Sequence, residues 1–212
     1  MPPLGPTGLP IECDGDYHAP TWQLAASVGG SATRIVFGDM QVPTEQLAAT
    51  ATVGRFPTPR LGWTASVGGI VAGRIDNRDL VGGGTASAAI TWLALYEGAR
   101  RPFIAVSGSL GTAYVRAVGD DMQRHWWWAS DLRAGVMVGK TLWDRIVPYA
   151  AVRAFGGPVF WTLAGDDVVG GDQYHVTVGA GLVVRLPRDA DLALEVMPLG
   201  ERSASLAFTM RL

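Results

Sequence analysis

The chain has 212 residues, of which only 17% are charged, and its formal net charge at pH 7 is −2. Its mean hydropathy of +0.19 is high for a soluble protein, yet no stretch approaches the roughly 18 consecutive apolar residues that a membrane helix needs. A chain of this length suits one all-β barrel domain. The weak acidic charge offers no basic surface, so we expect no nucleic acid among its partners.

The beginning of the chain differs from the rest in composition. Residues 1–20 are rich in Pro and Gly and contain neither the basic start nor the apolar run of a signal peptide. We therefore expect them to form a flexible extension, and we expect the chain to be the mature form of an exported protein. Residues 21–212 are expected to form the barrel domain. The one cysteine, Cys13, lies in the extension and is expected to be an incidental thiol.

From residue 22 onward, apolar side chains alternate with small or polar ones in segment after segment. Successive side chains of a strand point to opposite faces, so one face collects Trp, Val, Leu, Ile and Tyr, and the other Gly, Ala, Ser and Thr. The segments predict about ten strands, with eight or twelve as alternatives: residues 22–28, 47–53, 63–71, 87–96, 104–114, 131–140, 148–155, 174–185, 191–196 and 203–212. The apolar face is predicted to point outward, notably at Trp22, Leu24, Ile90, Trp92, Val136, Val176, Leu194 and Phe208.

The connections between these segments alternate in length. Four are short, and four are longer and richer in Asp and Gly, at residues 38–45, 76–84, 118–125 and 164–172. Up-and-down barrels of outer membranes place tight turns on the periplasmic side and longer loops outside. Only the last connection, residues 198–202, is short where a long one is expected. The segment 156–158, Gly-Gly-Pro, is predicted to bend a strand near the outer rim.

The alternation continues to the last residue, where Leu206, Phe208, Met210 and Leu212 share one face. Together with the strand count, this pattern resembles the small β-barrels of Gram-negative outer membranes. In those proteins the assembly machinery reads a final strand that ends in an aromatic residue, and Leu212 takes that place here. The resemblance implies an all-β, transmembrane, antiparallel up-and-down barrel in the outer membrane of a Gram-negative bacterium. Its implied partners are outer-membrane lipid and the barrel assembly machinery; a ligand of the extracellular loops is not identified.

Charged residues on the inward face are the first candidates for function. They come from four successive predicted strands, and a narrow lumen of about ten strands is filled by side chains, so buried charges there must be paired. We therefore predict an ion network in the lumen, which is either structural or a site for a proton, ion or ligand. Its members are Asp131, Arg133, Arg153, His175 and Glu195.

Tryptophans supply a second candidate feature. Amphipathic aromatic rings favour the boundary between membrane and water. We predict an aromatic girdle formed by Trp126, Trp127, Trp128 and Trp143. Because consecutive residues alternate faces, Trp127 could instead belong to an inward stacking platform for a ligand.

Two other classes of function remain open. An enzyme resembling the outer-membrane proteases of the omptin type would use paired acids and histidines at the outer rim, and two predicted loops carry such residues: Asp120, Asp121 and His125, and Asp166, Asp167, Asp172 and His175. A soluble lipocalin-like carrier would have the inverse orientation, with apolar residues inside. The favoured interpretation is a non-enzymatic membrane barrel, of structural, binding or narrow-pore type, with a largely filled lumen. We expect no catalytic residues, no metal and no cofactor.

Overall fold

The structure is a computed structural model, which describes residues 22–118, 124–163 and 166–212. Within these ranges no helix is long and apolar enough to cross a membrane. The predicted N-terminal extension lies outside the described residues. The strands are β1 (Trp22–Phe37), β2 (Met40–Arg55), β3 (Leu61–Ile75), β4 (Arg78–Leu95), β5 (Phe103–Val118), β6 (Arg124–Gly139), β7 (Ile146–Gly156), β8 (Pro158–Leu163), β9 (Asp166–Asp172), β10 (Val176–Leu186), β11 (Ala190–Leu199) and β12 (Arg202–Arg211).

Ten of these strands close into an antiparallel up-and-down barrel, as predicted. Strands β1 to β7 pair in chain order, β7 pairs with β10, and β11 and β12 follow. The barrel closes where β12 returns to β1, from the pair Gln23–Arg211 to the pair Ala32–Arg202. We call the end where β1 begins and β12 ends the lower end. The remaining two strands, β8 and β9, form a hairpin at the upper end.

The short hairpin of β11 and β12 changes the number of strands along the barrel axis. Pairing between β12 and β1 stops at Ala32, because the hairpin turns at Gly200 and Glu201. Above that level β9 pairs with β1 at Ile35 and Val36, and β8 pairs with β6. The upper ring therefore consists of β1 to β6, β8 and β9, which are eight strands. Barrel diameter grows with strand number, so the barrel narrows upward, and an eight-stranded interior is just wide enough for side chains to fill.

Two glycines allow the backbone to make this step. Gly200 has a φ of +81°, and a Cβ there would lie 2.0 Å from the carbonyl oxygen of Val176. At Gly157, between β7 and β8, a Cβ would lie 1.9 Å from the carbonyl oxygen of Ser130 on β6. Any larger residue at either position must displace the neighbouring strand. The break at Gly157 falls within the Gly-Gly-Pro segment where the sequence predicted a bend.

The outer face of the lower barrel is apolar, which confirms the predicted orientation. On β2 the outward side chains between Glu45 and Arg55 are apolar. The charged residues that bound this run, Glu45 and Arg55, lie about 33 Å apart along the strand, or about 25 Å along the axis of a barrel with ordinary strand tilt, which matches the height of the apolar band of outer-membrane barrels. All eight side chains predicted to point outward are exposed: Trp22, Leu24, Ile90, Trp92, Val136, Val176, Leu194 and Phe208.

A row of charged, outward-facing residues bounds the apolar belt at its upper edge. The row follows the β-sheet register from β12 through Ala32 of β1 to β4. We call it the charged row, and its members are Arg202, Glu45, Arg74 and Asp79. The outward side chains are thus apolar and suited to hydrocarbon within the belt, and charged and suited to water in the first row above it.

Above the charged row, the two faces of the wall exchange character. On β2, Val42 points inward and is buried, whereas Gln41 and Pro43 are exposed. Buried apolar side chains pack together from just below the charged row up into the narrow upper ring, and we call them the cap core: Ile35, Phe37, Val42, Ala48, Ile70, Ile75, Leu80, Ala113, Val115, Ala117, Trp127, Ala129, Val159 and Trp161. This part of the barrel is built like a soluble protein, with its apolar residues inside.

The predicted long loops are mostly strand, which corrects the sequence analysis. Residues 38–45 and 76–84 contain tight turns at Gly38 and Asp76, with φ angles of 56° and 52°, followed directly by β2 and β4. Positive φ is what such tight turns require. Most of residues 164–172 form β9. These segments lack the apolar-outward alternation because they lie above the belt, where the outward side chains meet water.

Candidate functional site

The first half of the predicted ion network is an arginine clamped to a carboxylate inside the lower barrel. Arg153 on β7 donates through both terminal nitrogens to Glu195 on β11, over 2.7 and 2.5 Å. Tyr149, four residues earlier on β7, donates its hydroxyl proton to Oε2 of the same carboxylate over 3.0 Å. Only 2% of Glu195 is exposed. Three charge-assisted bonds thus satisfy this buried carboxylate and tie β7 to β11 across β10.

The second half is centred on Arg133 of β6. Its Nη1 and Nη2 donate to the two oxygens of Glu201 over 3.1 and 2.9 Å, and its Nε donates to Asp131. Glu201 is 1% exposed and lies in the turn between β11 and β12. A parallel pair of N–H···O bonds between a guanidinium and a carboxylate fixes both partners in one orientation. The tip of the short hairpin is therefore anchored to β6, beyond β10 and β7 in the sheet.

A backbone contact holds the same tip from the neighbouring strand. The hydroxyl of Thr177 on β10 lies 2.8 Å from the carbonyl oxygen of Leu199 and 3.1 Å from that of Glu201, so its proton serves both acceptors. Thr177 is buried. The carbonyl groups of a turn that ends inside a protein need such partners. The step from ten to eight strands is thus supported by both side-chain and main-chain bonds.

Asp172 lies at the end of β9, above the belt, where it pairs in register with Ile35 of β1. Burial is the main cause that raises the pKa of Asp172 to about 6; the charges of Glu201 and Asp131 act in the same direction, and Arg133 opposes them. A carboxyl group in this position changes its protonation in mildly acidic solution. The outer end of the cluster is therefore its pH-sensitive part.

The structure brings four of the five predicted network residues into two ion clusters and leaves one outside. Asp131, Arg133, Arg153 and Glu195 point inward. His175 precedes β10, its side chain is exposed, and its Nδ1 lies 3.3 Å from the carbonyl oxygen of Phe155. His175 lies between β9 and β10, and its contact is with the backbone of β7. No carboxylate contact of His175 is present among the described residues.

Sequence reasoning missed Glu201, the most deeply buried acid of the site. It lies in residues 198–202, which were treated only as a connection that was shorter than expected. That shortness was the available signal, because a hairpin too short to reach the rim must end inside the wall. Its polar tip then needs partners, and an inward arginine at the same level can supply them.

The arrangement is suited to holding strands together and is poorly suited to proton transfer. Both guanidinium groups are engaged by carboxylates, and the Glu195 and Glu201 oxygens accept bonds from permanently charged donors. These carboxylate oxygens are already occupied by guanidinium donors, so they are poorly placed to accept a proton from a substrate. Among the described residues, no group of three or more acid, histidine or cysteine side chains could hold a metal ion.

The predicted aromatic girdle divides between the two faces of the wall. Trp126 and Trp128 point outward near the top of the belt, where Trp126 stacks on Tyr114 and Trp128 on Phe160, with centroid distances of 4.8 and 4.9 Å. Trp143 lies exposed in the lower connection before β7. Trp127, which was placed in the same girdle, instead points inward and is 2% exposed in the cap core.

The residues considered for a protease are spread over several environments. Asp120 and Asp121 lie outside the described residues, as do the side chains of His125 and Asp166. Asp167 accepts a bond of 2.9 Å from the hydroxyl of Thr162 across the β8–β9 hairpin. Asp172 lies at the end of β9, and His175 lies before β10 next to the backbone of β7.

The chain matches no family model and no curated protein. Among solved structures it is similar to the translocator domain of the autotransporter NalP from Neisseria meningitidis, with 12% identity, coverage of 93% of this chain and 90% of that chain, and a TM-score of 0.44. It is also similar to the transport unit of the autotransporter AIDA-I from Escherichia coli, with 11% identity, coverage of 92% and 91%, and a TM-score of 0.44. A third is the toluene transporter TodX of Pseudomonas putida, with 8% identity, coverage of 92% and 88%, and a TM-score of 0.29. These likenesses concern the barrel fold alone.

Proposed function

We propose that this protein is an integral outer-membrane barrel with a closed lumen, acting as a structural or binding protein and not as a pore. The single observation that carries the proposal is the exchange of faces at the charged row. A wall that is apolar outside for about 25 Å and then apolar inside matches a barrel that spans a bilayer below and ends in a water-exposed cap above. We call the upper, eight-stranded part the cap.

The outer face supports placement in a membrane. Large side chains such as Val67, Leu132 and Ile90 are exposed at 65, 65 and 59%. A contiguous apolar surface of this kind is not maintained in water by a monomeric soluble protein. A lipocalin-like carrier would instead need its apolar side chains to point into the barrel in these strands. Outer-membrane lipid and the barrel assembly machinery are accordingly the proposed partners.

Three features support a closed lumen. The cap core fills the eight-stranded ring with two tryptophans, Trp127 and Trp161, and other apolar side chains. Below it, the two arginine–carboxylate clusters project into the interior from the side of the wall that contains β6, β7, β10 and β11. Farther down, Phe103, Leu93 and Val147 form a second apolar cluster. Ions would have to leave water to pass these layers, and the cost of an unpaired charge in an apolar interior is several kcal/mol.

Conductance of the refolded protein in planar bilayers tests the closed lumen. We expect no discrete current steps, because the cap core leaves ions no hydrated path. Insertion is verified in the same preparation by heat-modifiable migration on gels, which reports a folded barrel. A porin sample reconstituted in parallel shows that open channels would be detected. Stable, reproducible channels from correctly folded protein would overturn the closed-lumen proposal.

The membrane placement has its own test. The protein should require detergent or lipid to stay monomeric after refolding. A folded monomer that remains in solution without detergent would refute the membrane assignment and favour the carrier.

A further inference from the structure

A groove crosses the outside of the wall at the upper edge of the apolar belt. It runs over β11, β12 and β1 to β4 and has a volume of about 980 Å³. Two rows of the β-sheet register form it. The lower row is Val196, Ala204, Gly30, Leu47 and Ala72, and the upper row is the charged row, with Ala32 between Arg202 and Glu45.

The two rows give the groove an apolar half and a charged half. Gly30 and Ala204 are small and lie between the larger side chains of Leu47 and Val196. The floor of the groove is therefore low at this point, and there is room for one hydrocarbon chain along the wall. In the upper half, Arg202 and Glu45 both pair with Ala32, from opposite sides. Their Cα atoms therefore lie about 10 Å apart, which is two strand spacings.

The charged residues of the upper half differ in their ion pairing. Arg74 contacts Asp79 over 3.5 Å, and both are well exposed. Arg202 stands at the other end of the row and faces the groove. A guanidinium group at a membrane boundary is suited to a phosphate, since it offers a planar pair of donors. Glu45, across the floor, offers acceptors for hydroxyl groups.

We propose that this groove binds the phosphorylated sugar headgroup and one acyl chain of an outer-leaflet glycolipid of the lipid A type. Arg202 binds the phosphate, Glu45 accepts hydrogen bonds from sugar hydroxyls, and the acyl chain lies over Gly30 and Ala204. The outer leaflet follows from the cap, because strands that continue beyond the belt mark the external side of such barrels. The inference rests on the proposed membrane function.

Binding is tested by native mass spectrometry of the detergent-solubilised, refolded protein titrated with diphosphoryl lipid A. Arg202→Gln should weaken binding about five- to tenfold, because one basic side chain near a membrane surface contributes about 1 kcal/mol or somewhat more. The matched control is Arg116→Gln, an exposed arginine on β5 away from the groove. It should leave the affinity unchanged. Ala32→Phe should also weaken binding, because it fills the floor without changing the charge.

The lipid probes decide the chemistry. Phosphate-free lipid A and phosphatidylethanolamine should bind the wild-type protein at least fivefold more weakly than diphosphoryl lipid A. Equal affinity for all three, or equal losses in Arg202→Gln and Arg116→Gln, would overturn the inference. Heat-modifiable migration confirms that each variant is folded. Detergent-independent solubility would refute the membrane function itself, whereas a folded, detergent-requiring barrel without lipid preference would refute only the groove.

Discussion

Removing the carboxylate that anchors the β11–β12 tip should destabilise the barrel measurably. In Glu201→Gln, the amide oxygen can still accept one bond from Arg133, but the amide nitrogen then faces the second N–H group, now without an acceptor. One charge-assisted hydrogen bond is lost, for which about 1.5–3 kcal/mol is typical. Asp131 still balances the guanidinium charge. We therefore expect a loss of about 2–3 kcal/mol, below the 3–5 kcal/mol typical of a fully broken buried pair.

Urea titration in detergent micelles, followed by tryptophan fluorescence, measures this loss. Glu45→Gln is the matched control, because it makes the same chemical change at an exposed position, where less than about 0.5 kcal/mol is expected. Arg133→Met and the double variant complete a cycle. The double variant should be less destabilised than the sum of the two single variants, by about 2 kcal/mol. Additive effects would refute the claim that Arg133 and Glu201 stabilise the step as a pair.

Three further outcomes are expected. Gly200→Ala should reduce the yield of heat-modifiable barrel, because its Cβ would meet the Val176 carbonyl oxygen, whereas Gly108→Ala, with open space around its Cβ, should fold normally. Val136→Arg, in the belt, should lower the free energy of unfolding in lipid vesicles by about 2–4 kcal/mol, whereas Met40→Arg, at the tip of the cap, should change it very little. Equal losses in the two variants would contradict the membrane boundary at the charged row. Since burial raises the pKa of Asp172 to about 6, the folded state binds its proton more tightly than the unfolded chain, so this group lowers the free energy of unfolding as pH rises from about 4 to 6. Asp172→Asn should remove that decline, and an unchanged pH profile would show that the group is not buried as described.

The ten barrel strands and their outward faces could be predicted because lipid imposes one rule on every spanning segment. An outward residue such as Leu24 or Phe208 must be apolar, and its inward neighbours must be small or paired. The same rule predicted inward positions for Arg153 and Glu195, since charges are excluded from the lipid face. The alternation thus contained both the fold and part of the site.

The remainder could not be predicted because the rule holds only within the belt. Above Glu45 the outward side chains meet water, so the alternation reverses, and residues such as Asp76 and Gly38 suggested loops where the chain forms tight turns between long strands. The placement of Trp127 inside the cap follows from the same reversal. Glu201 acquires its role from a contact with Arg133 that spans 68 positions, and no local pattern encodes such a contact.

The narrowing of the barrel has a consequence for how the chain assembles. Strand β1 has β2 on one side along its full length, but on the other side it joins β12 in its first part and β9 in its last. Closure therefore takes two separate seams, and the second consists of two residue pairs in the register of β1 and β9. A barrel whose lower seam has zipped while the cap is still open is a natural intermediate of insertion. Slowing the second step, for instance by crowding the β7–β8 junction at Gly157, should let that half-closed species accumulate.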